Sequence, residues 1–342
     1  MQVGFFLLAI WCAFTRSAIG ATTRIGYSSL DGTQAPGWIA RESGMFAKHG
    51  LNIEFVFTAG DRAVVPLLAG DTPIITVGGL SAVATRLGSS SWPRYEAPSA
   101  RRRLEFFPVF PDVIIIAEIF DRILYSLMVT PEIRSLADLR GKKIGANRFG
   151  SATELPLRAL LRENGFDPEK SMTILQMASQ EEILASLRTG QIQGGMIASP
   201  VTAAAKKLGL KELINMPSLG TLYPQTIIAT TERFLRGRRD SVLRFTRAYI
   251  EGIHRYLNDR EFSLDIIAKY TNTHRTDLEP IYNAHAPYMR KIPVPTPESI
   301  RRVLQELAVN DWRALGFPPE DYIDGSIITE LEREGFFQRV WQ

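Results

Sequence analysis

The stretch Lys143-Ile144-Gly145-Ala146-Asn147-Arg148-Phe149-Gly150-Ser151-Ala152-Thr153-Glu154 decides how the rest of the chain is read. Its first four residues have the pattern of a short buried strand, and Asn147 to Gly150 supply a turn. Ser151 followed by Glu154 three positions on is a capping box. Ser151 is therefore the expected N-cap of a helix running through Leu155, Leu157, Leu160 and Leu161. A strand, glycine turn and capped helix aim backbone N–H groups and the positive end of a helix dipole at the carboxyl edge of a sheet. A carboxylate, sulfonate or phosphate is well solvated there.

The same order of residues occurs once before. Arg24-Ile25-Gly26-Tyr27 parallels Lys143 to Ala146, and Gly32-Thr33 parallels Gly150-Ser151. Val65 to Asp71 parallels Ala185 to Gln191, and the apolar runs ending at Val77-Gly78-Gly79 and Ile197-Ala198-Ser199 follow at matching distances. Two copies of one βαβαβ plan predict two similar α/β lobes, each presenting helix N-termini to a cleft between them. At 342 residues the chain is long enough for two such cores.

Composition is that of a globular protein, 45% hydrophobic and 22% charged. Net charge is +4, from 40 Lys and Arg against 36 Asp and Glu, with the arginines scattered, so no nucleic-acid footprint is expected. The apolar run Val3 to Phe14 is too short to span a bilayer, and Ala18 and Gly20 fit a small-x-small cleavage site. Residues 1–21 read as a secretory signal peptide, although no Lys or Arg precedes the apolar core. The single cysteine, Cys12, falls inside it, so the mature chain is expected to have no disulfide, thiolate metal site or cysteine nucleophile.

Along the chain, strands are expected at 24–27, 51–57, 73–77, 112–117, 143–146, 172–176, 194–198 and 225–230, alternating with helices. One helix is expected from Trp38 to His49. Residues 88–111 hold four prolines and three consecutive arginines without a period, and read as an inserted loop. The chain is expected to cross into the second lobe between Ile119 and Thr130 and to return near Gln225. Val242, Phe245, Tyr249, Ile253 and Tyr256 recur at helical spacing, as do Ile300, Val303, Leu304 and Leu307, marking core stripes that pack on the first lobe.

Phosphate-loop, HExxH, EF-hand and GxGxxG signatures are absent from the sequence. Gly79-Leu80-Ser81-Ala82-Val83 approaches a nucleophile elbow but lacks its final glycine, and the four histidines, His49, His254, His274 and His285, lie in helical patterns expected at the surface. The residues at strand-to-helix turns fit ligand contacts better. Ser29, Gln34, Gly79, Ser81, Gly150, Ser151 and Ser199 offer hydroxyls, amides and exposed N–H groups, Arg148 adds charge, and Trp38 and Tyr27 offer apolar faces.

These residues resemble the periplasmic solute-binding proteins of ABC importers, in the nitrate/sulfonate/taurine type that shares a domain with thiamine-pyrimidine-precursor binding proteins. The resemblance is carried by Gln34-Ala35-Pro36-Gly37-Trp38-Ile39-Ala40, Gly44 to Leu51, Gly78 to Val83, Ser135 to Gly145, Arg148-Phe149-Gly150-Ser151 and Asp167-Pro168. It covers nearly all of the mature chain, with 88–111 as the departure. It implies an α/β, two-lobed periplasmic binding protein fold (type II), each lobe a mostly parallel sheet flanked by helices. The lobes would be 22–118 with 225–342, and 119–224. It implies ligand contacts near Gln34, Gly79, Ser81, Gly150, Ser151 and Ser199, permease and ATPase subunits as partners, a periplasmic location, a monomer, and neither cofactor nor metal. Two other readings are an enzyme on the same scaffold, either a serine hydrolase at Ser81 or a pyrimidine synthase, and a sensor serving a membrane receptor. The synthase branch uses a cysteine-rich motif that the mature chain lacks.

Overall fold

The computed structural model describes residues 22–88, 112–147 and 149–342. The expected signal peptide with Cys12, the insertion beyond Gly88, and Arg148 lie outside the described residues.

Among the described residues ten strands form two five-stranded sheets. The first is ordered β2 (Ile53–Phe57), β1 (Thr23–Tyr27), β3 (Ile74–Val77), β10 (Leu222–Thr231) and β4 (Val113–Arg122). The second is ordered β7 (Thr173–Gln176), β6 (Lys143–Ala146), β8 (Gly194–Ile197), β5 (Ser126–Val129) and β9 (Lys211–Asn215). In each sheet the first three strands are parallel and the fourth runs antiparallel to both its neighbours. The repeat read in the sequence is thus a repeat of topology: β1 and β6 hold equivalent central places, with Ile25 and Ile144 fully buried. Strands β5 and β9 are not among those expected: β5 and the end of β4 occupy most of the stretch from Ile119 to Thr130 expected to be the crossing, and the five residues of β9 show no strict alternation.

Helices α1 (Ala35–Glu42), α2 (Met45–Lys48), α3 (Val64–Ala69) and α4 (Gly79–Arg86) belong with the first sheet. The single helix expected from Trp38 to His49 is two, because Gly44 takes φ +69 and interrupts it. The second sheet carries α5 (Glu154–Glu163), α6 (Gln180–Arg188) and α7 (Val201–Lys207). The remainder is helical: α8 (Glu232–Gly237), α9 (Arg239–Asn258), α10 (Arg260–Thr271), α11 (Leu278–His285), α12 (Pro297–Ala308), α13 (Ser326–Arg333) and α14 (Phe336–Val340). The α9 stripe is buried as expected, and joins Ile25, Trp38 and Phe46 in a core on one face of the first sheet. A second core covers the other face and continues through Ile123 and Tyr223 into the second sheet, reaching Ile144 and Leu157. Met128, Ile183 and Leu187 form a third.

Register fixes how the sheets meet. Val77, at the carboxyl end of β3, pairs with Ile227, and Leu222 at the start of β10 pairs with Arg122 at the end of β4. In the second sheet Ser126, which opens β5, pairs with both Ile197 and Asn215, the ends of β8 and β9. Both crossings, 123–125 and 216–221, therefore join the carboxyl edge of one sheet to the carboxyl edge of the other. The three-residue crossing limits the separation of those edges there to about 14 Å. Two strand-end rims consequently face one another.

Candidate functional site

The first-lobe rim begins where β1 ends. Ser29 is half-buried in this loop. Asp31 caps the turn that follows: its Oδ1 accepts from the Thr33 backbone N–H at 2.9 Å and from the Thr33 hydroxyl at 2.5 Å. Gln34 is buried, and its Oε1 accepts from the Thr76 hydroxyl at 2.5 Å, which ties the loop to β3. Trp38 is fully buried in the lobe core, stacked on Tyr270 with ring centres 4.7 Å apart and edge-on to Tyr27 at 6.0 Å. Gly79 opens α4 under Pro224, and Ser81 sits in the first turn, its N–H donating to the Gly78 carbonyl at 3.0 Å.

On the second-lobe rim the expected capping box takes a different form. The helix starts at Glu154, preceded by Thr153, and not after Ser151. Glu154 is almost fully buried and paired with Arg158 one turn on. Its other oxygen reaches back to the Gly150 N–H at 3.0 Å. Thr153 Oγ1 accepts from the Asn147 N–H at 3.0 Å and lies 2.9 Å from Ser151 Oγ. The carboxylate is held inward by an arginine, so the turn 149–153 organises around it, and Ser151 becomes a turn residue beside Thr153.

Several buried polar atoms near these rims have no partner among the described residues: Asn147 Oδ1 after β6, Ser199 Oγ after β8, Gln225 Oε1 on β10 and His285 Nδ1 on α11. Buried polar groups are nearly always paired in native proteins, so unpaired atoms on a rim mark positions that a ligand or water completes. Tyr125 links the set. It precedes Ser126, so its backbone stands beside Ala198 and Ser199, and the Gln225 amide reaches its hydroxyl from β10. Burial, with the Asp31 charge adding, pushes the Tyr125 phenol up to about 12, so it stays protonated. His285, expected at the surface, is 2% exposed, edge-on to Phe120. Burial lowers its pKa while the Asp31 charge opposes that shift.

Asn147 was legible from its place after a strand. Tyr125, Gln225 and His285 were not, because their nearness to the rims depends on pairings across the chain. Among the described residues two ion pairs bridge the lobes: Lys207 with Asp277 at 3.9 Å, and Arg302 with Glu163. A cavity of about 270 Å³ bounded by Leu67, Pro73, Thr231 and Phe234 lies at the opposite, amino edge of β3 and is separate from the rims. Among the described residues no group of three or more His, Cys, Asp or Glu is suited to a metal ion.

Two mixed sheets, two crossings and facing carboxyl edges define the two-lobed periplasmic binding protein fold. Residues 111–261 match the sequence model of the NMT1/THI5-like family, and the chain has the fold of the sulfonate- and nitrate-binding proteins. The periplasmic aliphatic sulphonate binding protein SsuA from Escherichia coli superposes with TM-score 0.70 at 16% identity, covering 89% of this chain and 92% of that one. The periplasmic nitrate-binding protein NrtA from Synechocystis PCC 6803 gives 0.68 at 12% identity, covering 92% and 88%. A DszB mutant in complex with biphenyl-2-sulfinic acid gives 0.64 at 13% identity, covering 91% and 99%. No curated protein matches the sequence. At these identities the structural likenesses establish the fold.

Proposed function

We propose that this chain is the exported solute-binding component of an ABC importer, closing two lobes on a small organic anion or related polar solute. The observation that carries this reading is the pair of facing carboxyl rims bearing buried, unpartnered polar atoms. Residues 1–21 would direct export and be removed, leaving a periplasmic monomer that meets permease and ATPase subunits. Ser29, Gly79, Ser81, Gly150, Ser151 and Ser199 would meet the solute together with Asn147 and Gln225. Gln34 and Trp38 would hold the first rim from behind.

The lobes would turn about the crossings 123–125 and 216–221, with the Lys207–Asp277 pair forming as the mouth closes. We read the chain as non-enzymatic. Ser81 is engaged in a helical first turn, His49 pairs with Glu251, His254 packs on Trp341, and His285 packs on Phe120. A thermal-shift panel of sulfonates, nitrate, carboxylates and pyrimidines tests the reading. A solute at a hundred times its dissociation constant adds about 2.7 kcal/mol of stability. No shift with any of them, or turnover abolished by Ser81→Ala, would overturn it.

A further inference from the structure

Arg233, Arg236, Arg238 and Arg239 crowd the end of α8 and the start of α9. Two of them are paired: Arg236 with Glu232 at 3.3 Å, and Arg239 with Glu330 at 2.6 Å. The side chains of Arg233 and Arg238 form no ion pair or hydrogen bond among the described residues, and both are exposed. The two unpaired arginines, and not the paired ones, line the cavity at the amino edge of β3.

No carboxylate shares that lining. Glu232 is held by Arg86 and Arg236, and Asp112 Oδ2 accepts from the Arg233 backbone N–H at 3.1 Å. Asp71 follows Gly70 but stands outside the lining. Leu67 from α3, Pro73 before β3 and Phe234 from α8 make the walls apolar. These walls are fixed by the fold itself. The Thr230 hydroxyl donates to the Pro73 carbonyl at 2.7 Å, and Thr231 Oγ1 accepts from the Phe234 N–H at 3.1 Å.

Size and charge together select an occupant. The cavity measures about 270 Å³. An apolar cavity of about 150 Å³ already takes benzene, so a one- or two-ring body fits. Two exposed guanidinium groups without a counter-charge supply planar donors on the solvent side, which match a carboxylate.

We propose that this cavity is a second, peripheral binding site for an aromatic carboxylic acid, its ring against Leu67, Pro73 and Phe234 and its carboxylate paired with Arg233 and Arg238. The site lies at the opposite edge of β3 from the cleft rims. It is independent of the solute-capture reading, and both sites can be filled at once.

The test titrates the mature chain with naphthalene-2-carboxylate and with naphthalene-2-carboxamide, following backbone amide resonances. Gly70 and Gly237 report the cavity, and Gly79 and Gly150 report the two rims. The carboxylate is expected to shift Gly70 and Gly237, and to bind there roughly 3- to 10-fold more tightly than the carboxamide. The preference should shrink at high ionic strength. Arg233→Gln with Arg238→Gln is expected to remove it while leaving the carboxamide affinity unchanged. A Cβ on Gly237 meets nothing within 4 Å, so Gly237→Phe adds bulk at the cavity without displacing a neighbour. It is expected to weaken both probes, read at Gly70. Shifts at Gly79 and Gly150 without Gly70 and Gly237 would overturn this inference and leave solute capture standing. Equal affinity for the two probes at the cavity, a preference that survives the double arginine variant, or no shift at Gly70 and Gly237 would overturn it as well.

Discussion

A Cβ placed on Gly79 would lie 2.5 Å from the ring carbons of Pro224 and 2.7 Å from its carbonyl oxygen. The start of β10 therefore runs directly over the start of α4, and the glycine is demanded by that neighbouring strand. Pro224 immediately precedes Gln225, so this contact also sets where Gln225 stands.

Gly79→Ala is expected to push β10 off α4. Overpacking of this kind costs about 1–3 kcal/mol, read as a lower midpoint in urea unfolding with an unchanged slope. Solute affinity should fall with it, because Gln225 moves with Pro224. A variant as stable as wild type would contradict the contact.

Glu154→Ala is expected to destabilise the second lobe far more than Ser151→Ala. Removing the carboxylate leaves Arg158 with Glu169 alone and the Gly150 N–H without its acceptor, a loss of about 1.5–3 kcal/mol. Ser151 contributes only local turn bonds, so its truncation should cost about 1 kcal/mol or less. Equal losses would restore the capping box in its expected form.

Glu118 gives stability a pH dependence. It lies buried on β4, where its Oε2 accepts from Thr296 N–H at 3.2 Å and Ser299 hydroxyl at 3.2 Å, while Arg290 stands 3.4 Å away. Burial raises it to about 7 from the usual 4.5, outweighing Arg290 and the hydrogen bonds. The folded state then binds its proton more tightly than the unfolded chain. Its contribution to stability is fully present below 4.5 and is lost as pH rises to about 7. Glu306, raised to about 8 mainly by burial, acts in the same direction over a slightly longer range. Glu118→Gln should flatten the part of the urea-midpoint profile between pH 5 and 7; an unchanged profile would assign the slope elsewhere.

The Lys207–Asp277 pair is exposed, so its worth to overall stability is about 1 kcal/mol at most. Its expected effect is on the closed form. Asp277→Lys should weaken solute binding roughly threefold to fivefold at low salt, and the difference should shrink at high ionic strength. A change in melting temperature without any change in affinity would separate the pair from closure.

The turn chemistry and periodicity of single segments already specify most of the fold. Ile25 and Ile144 stand in matching strand patterns, and the α9 stripe from Val242 to Tyr256 is buried as its spacing predicts. Hydrophobic alternation is a local property, so it survives in one dimension. Trp38 shows the limit: an aromatic next to a binding turn looks available until Tyr270, more than two hundred positions later, stacks on it.

The sequence by itself determined that the chain holds two copies of one α/β plan, because each copy's strands and helix starts are encoded within a few residues. Only the tertiary structure decided what faces what. Ser126 pairing with Ile197 and Asn215, and Arg122 with Leu222, turns the two carboxyl edges toward each other. It also gathers Tyr125, Gln225, His285 and Asp31 from four separate segments. The physical reason is that strand register and helix docking are settled by long-range hydrogen bonds and shared burial, which no short window of residues contains.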